Sequence, residues 1–302
     1  MSDLRFDGRV AIITGAGGGL GRAHALELAR RGAMVLVNDV AQSVGSDGTP
    51  SSAAQRVVEE IIAAGGRAAA NTDSVATPEG GGAIVDAAVT AFGRVDILVN
   101  NAGILRDKAF HKMDSAMIDA VIDVHLKGAF YVTQPAFRLM REQGYGRIVS
   151  TSSASGLFGN FGQANYGAAK AGLAGLTRVL ALEGVGHGVC ANAIAPIAAT
   201  QMTHGILGDL ADKVSPDSVS PLVAYLAHED CAVNGHVYSV AGGRIARIFV
   251  AETLGLVLPQ NTAEGVRDHL AMVDEIDAVG CHLPSSLDDE TTIIAKALSE
   301  VS

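Results

Sequence analysis

Residues 10 to 39 read VAIITGAGGGLGRAHALELARRGAMVLVND. Val10 to Thr14 are apolar and mostly β-branched, too short for a helix and without polar alternation, the pattern of a strand buried on both faces. The glycine-rich turn Gly15 to Gly21 follows, then an amphipathic stretch from Arg22 to Arg31 that stops before Gly32, then a second apolar run, Met34 to Asn38. Strand, glycine turn, helix and second strand form the unit that binds a dinucleotide. Glycines permit a tight turn and close backbone approach, while free N–H groups and the positive dipole end of the helix attract a pyrophosphate. Glycine turns also end ordinary helices, so the acid after the second strand matters. In that position Asp39 accepts hydrogen bonds from the adenosine ribose hydroxyls of NAD and repels the extra phosphate of NADP. No Arg or Lys stands between Gly15 and Gly21 or directly after Asp39. NAD is the expected cofactor; the competing reading of Asp39 is a solvated loop carboxylate.

Downstream the chain continues to alternate. Gln42 to Ser52 reads as a loop, Ala53 to Ala64 as a helix stopped at Gly65-Gly66, and Arg67 to Asn71 as a third strand. Pro78 to Phe92 reads as a helix and Val95 to Val99 as a fourth strand. A long helix is expected over Ser115 to Glu142, a fifth strand over Arg147 to Ser150 and a helix over Asn165 to Gly184. Cys190 to Ala195 and Val237 to Val240 supply two more strands. Such alternation implies an α/β fold, a doubly wound parallel sheet of about seven strands with helices on both faces. It brings Gly15, Asp39, Asn100 and Ser153 to the carboxyl ends of strands, where ligands bind in open sheets.

A second group of residues carries chemistry. From Gln163 onward Tyr166 and Lys170 are an i, i+4 pair on one helix face, and Ser153 precedes Tyr166 by thirteen residues. A phenol with a reference pKa of about 10 is a poor catalyst at neutral pH. A lysine cation beside it favours the phenolate and brings it toward the working range, and Ser153 can hold the oxygen that loses the proton. Taken alone, Tyr-x-x-x-Lys is also a common accident of a small-residue helix.

Together, Thr14-Gly15-x-x-x-Gly19-x-Gly21, Asn100-Asn101-Ala102-Gly103, Ser153 and Tyr166-x-x-x-Lys170 resemble the short-chain dehydrogenase/reductase family, in its order and its Ser-to-Tyr spacing. The resemblance implies catalytic roles for Ser153, Tyr166 and Lys170. It implies cofactor contacts from Gly15, Gly19, Leu20, Gly21, Asp39, Asp73, Ser74, Asn100, Ala102, Gly103, Tyr166, Lys170, Pro196 and Thr200. The asparagine pair reads equally well as a scaffold that holds a strand end in shape. Two departures stand out. His125 occupies the place of the family's usual Asn; it either supports the lysine through its backbone carbonyl or is a histidine satisfied inside a helix bundle. The family's Pro-Gly after the sixth strand is Pro196-Ile197 here, one residue shorter before Thr200, and Ile197 cannot take positive φ cheaply.

Phe158 to Tyr166, Val124 to Gly128, Asn71 to Val75 and Pro221 to Asp230 resemble one subgroup, the (3R)-hydroxyacyl-CoA dehydrogenase portions of peroxisomal multifunctional enzymes, a likeness that runs to about Asp277. The substrate so implied is an acyl thioester; a hydroxysteroid or other bulky alcohol is the alternative, and a non-catalytic NAD-binding regulator the remote one. The last residues, Glu300-Val301-Ser302, are not a Ser-Lys-Leu-like peroxisomal address.

Composition bounds the remaining classes. The chain has 302 residues, 48% of them hydrophobic, with 36 glycines and 8 prolines, which suits one large domain over 1–243. Aromatic content is 4% without Trp, so Ala, Val, Leu and Ile must build the core. A net charge of −10 argues against nucleic acid or an anionic membrane as partner. Cys190, Cys231 and Cys281 are scattered and odd in number, which fits free thiols and a cytoplasmic location; no metal is expected. No basic-then-apolar leader or long apolar run is present. Residues 244–302 form an extension with helical periodicity over Arg244 to Gly255 and Ala263 to Val279, around Pro259. It is expected to pack across a subunit interface and close the substrate pocket, or else on its own subunit. The resemblance implies a homodimer or homotetramer.

Overall fold

The structure, a computed structural model, describes residues 3–44, 50–203, 205, 207–258, 260–276 and 280–299. In chain order its elements are β1 (Val10–Thr14), α1 (Gly19–Arg30), β2 (Met34–Asn38), β3 (Gln42–Val44), β4 (Pro50–Ser52), α2 (Ala53–Ala63), β5 (Arg67–Asn71), α3 (Pro78–Phe92) and β6 (Ile97–Asn100). The second half adds α4 (Ser115–Ile122), α5 (Gly128–Gln143), β7 (Gly146–Thr151), α6 (Ala154–Phe158), α7 (Ala164–Gly184), β8 (Val189–Pro196), α8 (Ser220–Ala227), β9 (Val237–Ala241) and β10 (Arg244–Ile248). Beyond these lie β11 (Glu252–Thr253), α9 (Ala263–Asp274), β12 (Cys281–His282) and α10 (Leu287–Ser299). Two compact units result, Met1–Arg247 and Ile248–Ser302.

The main sheet has eight strands in the order β10-β9-β8-β7-β6-β1-β2-β5. From β5 to β9 every pairing is parallel. Chain order reverses between β1 and β6, so the crevice at their carboxyl ends is the natural ligand site. The central strands β1, β2, β6 and β7 are buried on both faces because their side chains alternate between two cores. Ala11, Ile13, Val35, Val37, Ile97 and Val99 face Leu28, Val57, Ile61, Val223 and Leu226 of α1, α2 and α8. Val10, Ile12, Leu36, Leu98 and Ile148 face Ile84, Val85, Val132, Met140 and Leu180 of α3, α5 and α7. Each fully buried Ile or Leu contributes about 1.5–3 kcal/mol, and these layers hold the crevice rigid.

Three sequence expectations are corrected. Gln42 to Ser52 is not all loop: β3 and β4 pair antiparallel, and residues 45–49 lie outside the described residues. Arg244 to Gly255 is not a helix. Gly242 and Gly243, with φ of 53° and 85°, turn the chain back so that Arg244–Ile248 adds an eighth strand beside β9. A two-residue turn with positive φ at both positions favours a hairpin, and pairing with β9 decides a short segment whose periodicity is ambiguous. In the extension, α9 ends at Asp274, with Glu275 in an extended conformation; Pro259 and residues 277–279 lie outside the described residues, as do Glu300, Val301 and Ser302.

Candidate active site

The crevice is fastened by β1 and β6 themselves. Thr14 Oγ accepts N–H bonds from Asn101 and Ala102, both at 3.1 Å, and the Asn101 side-chain amide donates to Thr14 O and Gly15 O, both at 3.0 Å. Asn100, one residue earlier, points the other way and donates to Thr133 of α5 at 2.9 Å. The asparagines therefore divide the work: Asn101 ties the reversal point, Asn100 ties strand to helix.

Around this point opens a cavity of about 760 Å³. Its walls include the expected Gly15, Gly19, Leu20, Asp39, Ser74, Ala102, Gly103, His125, Tyr166, Lys170 and Thr200. Gly21, Asp73, Asn100 and Pro196 are not on its walls. Gly21 packs α1 onto β1: a Cβ there would sit 2.3 Å from Gly15 O. Asp73 is held by Asn71, whose amide donates to its carboxylate at 2.7 Å. Pro196 ends β8, and Ile197 continues that pairing, its N–H donating to Val240 O at 3.0 Å, with no positive φ required. Sequence reasoning gave no cofactor contact to Gly17, Asn101 or Arg56, all on the cavity wall. Gly17 had a signal in the glycine run; Arg56 had none, because only the packing of α2 brings it there.

A dinucleotide fits these walls. The first turn of α1 carries no side-chain cap and no acidic residue, so its N–H groups and dipole face the cavity unopposed. Gly15 and Gly19 take φ of 62° and 51°, conformations that other residues adopt only under strain, and nothing lies within 4 Å of a Cβ built at Gly18. Asp39 accepts the Gly17 N–H and the Ala41 N–H, each at 2.8 Å. A carboxylate has about four acceptor positions, so capacity remains for hydroxyl donors. Gly17 is required beside it, since a Cβ would come within 2.8 Å of that carboxylate and 2.5 Å of Ala53.

At the other end stand the titratable groups. Lys170 is 3% exposed, and its ammonium donates to Thr151 O at 2.5 Å. Burial pushes the Lys170 pKa down to about 7. Its Nζ lies 5.6 Å from the centre of the Tyr166 ring. Burial also raises the Tyr166 pKa, opposed by a hydrogen bond with Ser153 and reinforced by the negative charge of Asp107. The net shift in the free protein is upward, opposite to the one expected from a lysine neighbour. Ser153 is outside the lining of the large cavity but beside Tyr166; it caps α6 by accepting the Ser155 N–H at 3.2 Å, which leaves its own hydrogen to donate.

His125 sits in a π turn, Asp123–Lys127, inserted between α4 and α5. Such widened turns recur at functional sites. Its ring meets the Tyr166 ring edge-on, with centres 5.2 Å apart at 88°. Its Cε1 also lies 2.3 Å from where a Cβ on Gly103 would be, so Gly103 makes room for it. His125 Nε2 faces both Ile104 O at 2.7 Å and Ile104 N at 2.9 Å, contacts that need opposite tautomers. Burial, then the Lys170 charge, lower its pKa to about 3 against that hydrogen bond; the ring is neutral. Asn165 completes the frame, donating to Arg106 O and Met117 O and accepting the Tyr166 N–H at 2.8 Å.

A nucleotide cradle at a sheet reversal, with a buried Tyr–Lys pair at its far wall, defines a nicotinamide-dependent oxidoreductase by class. The family described as short chain dehydrogenase matches residues 9–210, and this chain belongs to it. The mouse peroxisomal multifunctional enzyme type 2 is 46% identical over 99% of this chain and 41% of its own length. A hydroxyacyl-CoA dehydrogenase of Mycobacterium tuberculosis is 43% identical, covering 80% of each chain. A 7α-hydroxysteroid dehydrogenase solved with NADH and 7-oxo glycochenodeoxycholic acid superposes with a TM-score of 0.71 at 29% identity, over 80% of this chain and 98% of that one. The chain spans less than two thirds of the length of the multifunctional relatives it matches. It is an enzyme acting on a small-molecule substrate. Among the described residues no helix is long and apolar enough to cross a membrane.

Proposed function

We propose that this chain interconverts the secondary alcohol and ketone of a (3R)-hydroxyacyl thioester, with NAD as its cofactor. The observation that carries this reading is the meeting of Tyr166, Lys170 and His125 on the wall of the cavity that Asp39 and the glycine turn enclose. The dinucleotide, when bound, supplies the hydride acceptor. Ser153, which hydrogen-bonds the Tyr166 phenol in the free protein, turns its hydroxyl to hold the substrate oxygen. Tyr166 removes the hydroxyl proton, and Lys170 in its protonated form stabilises the phenolate; a pKa of about 7 keeps both forms of the amine populated at neutral pH. Lys170 is also placed to hold the nicotinamide ribose. His125 is a positioning residue: its ring edge sets the plane of Tyr166. Asp39 accepts the ribose hydroxyls and disfavours a phosphate there, against the attraction of Arg56 on the same wall.

The thioester reading draws on the hydroxyacyl-CoA dehydrogenase among the relatives. A hydroxysteroid is the second reading, favoured by the structural likeness to the 7α-hydroxysteroid enzyme; specificity between them is assigned to Ala199 to Ser215, of which residues 204 and 206 lie outside the described residues, and to the C-terminal extension. A regulator without catalysis is disfavoured by the intact Ser153, Tyr166 and Lys170. An assay with NAD and NADP against matched 3R- and 3S-hydroxyacyl-CoA and a steroid alcohol tests the reading. Fastest turnover of the 3R thioester with NAD supports it; turnover of the steroid alone overturns it.

The same proposal includes a homodimer or homotetramer through the long helices. On α7 and the turn after it, Val179, Leu182 and Val185 are all exposed and spaced to lie along one face. The domain is assigned to residues 1–243 and the extension to 244–302. A cytoplasmic location is part of the proposal as well, although the mouse relative is named for the peroxisome.

A further inference from the structure

Two segments that are hydrogen-bonded to each other flank Tyr166. Lys108 N–H donates to Gly162 O at 2.8 Å, the Gln163 amide to the Asp107 carboxylate at 2.7 Å, and the Asn165 amide to Arg106 O at 3.1 Å. The charge of Asp107 reaches the Tyr166 phenol, so this rim stands beside the reacting end of the site. It carries Arg106, Lys108 and Lys112, all exposed.

These cations differ from the arginines of the fold that are neutralised in ion pairs. Arg9, Arg22, Arg30, Arg31 and Arg94 each have a carboxylate partner. Among the described residues no ion pair is found for Arg106, Lys108 or Lys112; the Arg106 guanidinium donates only to Leu105 O, at 2.7 Å. The two nearest acids in sequence are engaged elsewhere, Asp107 with Gln163 and Asp114 as the cap of α4. Phe110 and Phe161 on the same segments are 73% and 91% exposed, large apolar rings left in water next to a ligand site. In a chain of net charge −10 a polyanionic substrate is repelled at long range, and a local positive rim is what draws it in.

We infer that Arg106, Lys108 and Lys112 bind the phosphates of a coenzyme A thioester, with Phe110 and Phe161 covering its pantetheine arm. The inference rests on the thioester reading above and adds the place where the nucleotide end is held. Guanidinium and ammonium groups suit phosphate oxygens, and the rim's position lets the acyl carbinol reach Tyr166 while the phosphates stay at the surface.

The test compares one 3R-hydroxyacyl group carried on coenzyme A and on pantetheine, which lacks the nucleotide phosphates, in the wild-type enzyme and in R106Q/K108Q/K112Q. In the wild type the coenzyme A ester has a KM lower by roughly tenfold or more, and this advantage shrinks as salt is raised. The triple variant loses the advantage while kcat, the pantetheine KM and the NAD KM stay unchanged. Each single substitution, which leaves two cations in place, gives a partial loss. Equal wild-type KM values for the two esters, or a triple variant that keeps the preference, overturn the rim alone. Turnover of neither ester overturns the thioester reading and the rim with it.

Discussion

Replacing Lys170 with Met removes a buried amine while keeping a side chain of similar length, and the pH dependence of stability should change in a defined way. Holding the pKa at about 7 instead of 10.5 disfavours the folded, protonated form by about 5 kcal/mol, at 1.36 kcal/mol per pH unit. The folded-state value is depressed, so between pH 7 and 10.5 the unfolded chain keeps a proton that the folded chain has released. Stability therefore rises with pH across that window, and the full penalty is present below it. Urea unfolding of the free enzyme and of Lys170→Met, at one protein concentration and at pH 7.5, 8.5 and 9.5, gives the difference between them. That difference should climb in favour of the wild type by about 2–3 kcal/mol over the two pH units, while groups common to both cancel. A flat difference would refute the reasoning, because it would mean that Lys170 stays protonated in its buried site beside Thr151 O.

Tyr166→Phe should retain NAD binding in a fluorescence titration and lose turnover; activity above a tenth of wild type would mean that the proton leaves by another group. Asp39→Ala should raise the use of NADP relative to NAD, with Arg56 left unopposed, and an unchanged ratio of kcat/KM values removes that role from Asp39. Burial lowers the pKa of both His24 and His125 to about 3, so folding excludes two protons that the unfolded chain takes up below its ordinary 6.5. Stability should fall by about 5 kcal/mol from pH 6.5 to 4.5 through this pair, and His24→Gln should halve that slope in urea melts; an unaltered slope counts against a neutral buried ring. Val179→Asp with Leu182→Asp should reduce the mass measured by light scattering without loss of helicity, and an unchanged mass would free α7 from any part in assembly.

The central strands β1, β2 and β6 were legible because both of their faces are buried, so each reads as an apolar run bounded by glycine or polar residues. The Tyr166–Lys170 pair was legible from helical spacing, and the glycine turn from its place after β1. Other features depend on contacts distant in sequence. β10 carries no signal stronger than the helical one until Gly242-Gly243 folds it against β9. The choice between Asn100 and Asn101 rests on which side of β6 each faces, an odd-or-even count that a strand boundary uncertain by one residue reverses. Arg56 reaches the cavity only because α2 packs beside β2. The behaviour of Tyr166 was misjudged for a similar reason: spacing supplies the lysine, but only the packed site supplies the desolvation that works against it.

The π turn at Asp123–Lys127 has a consequence for how this helix tolerates change. An α-helix advances about 100° per residue, at 3.6 residues per turn, and the wide turn absorbs additional chain between α4 and α5. Their apolar faces are accordingly out of phase on a single helical wheel. Deleting one residue from this turn would return it to regular winding with α4 and α5 keeping their faces, and the widened backbone that seats His125 beside Tyr166 would be lost. Residue number, not only residue type, is fixed in this short stretch.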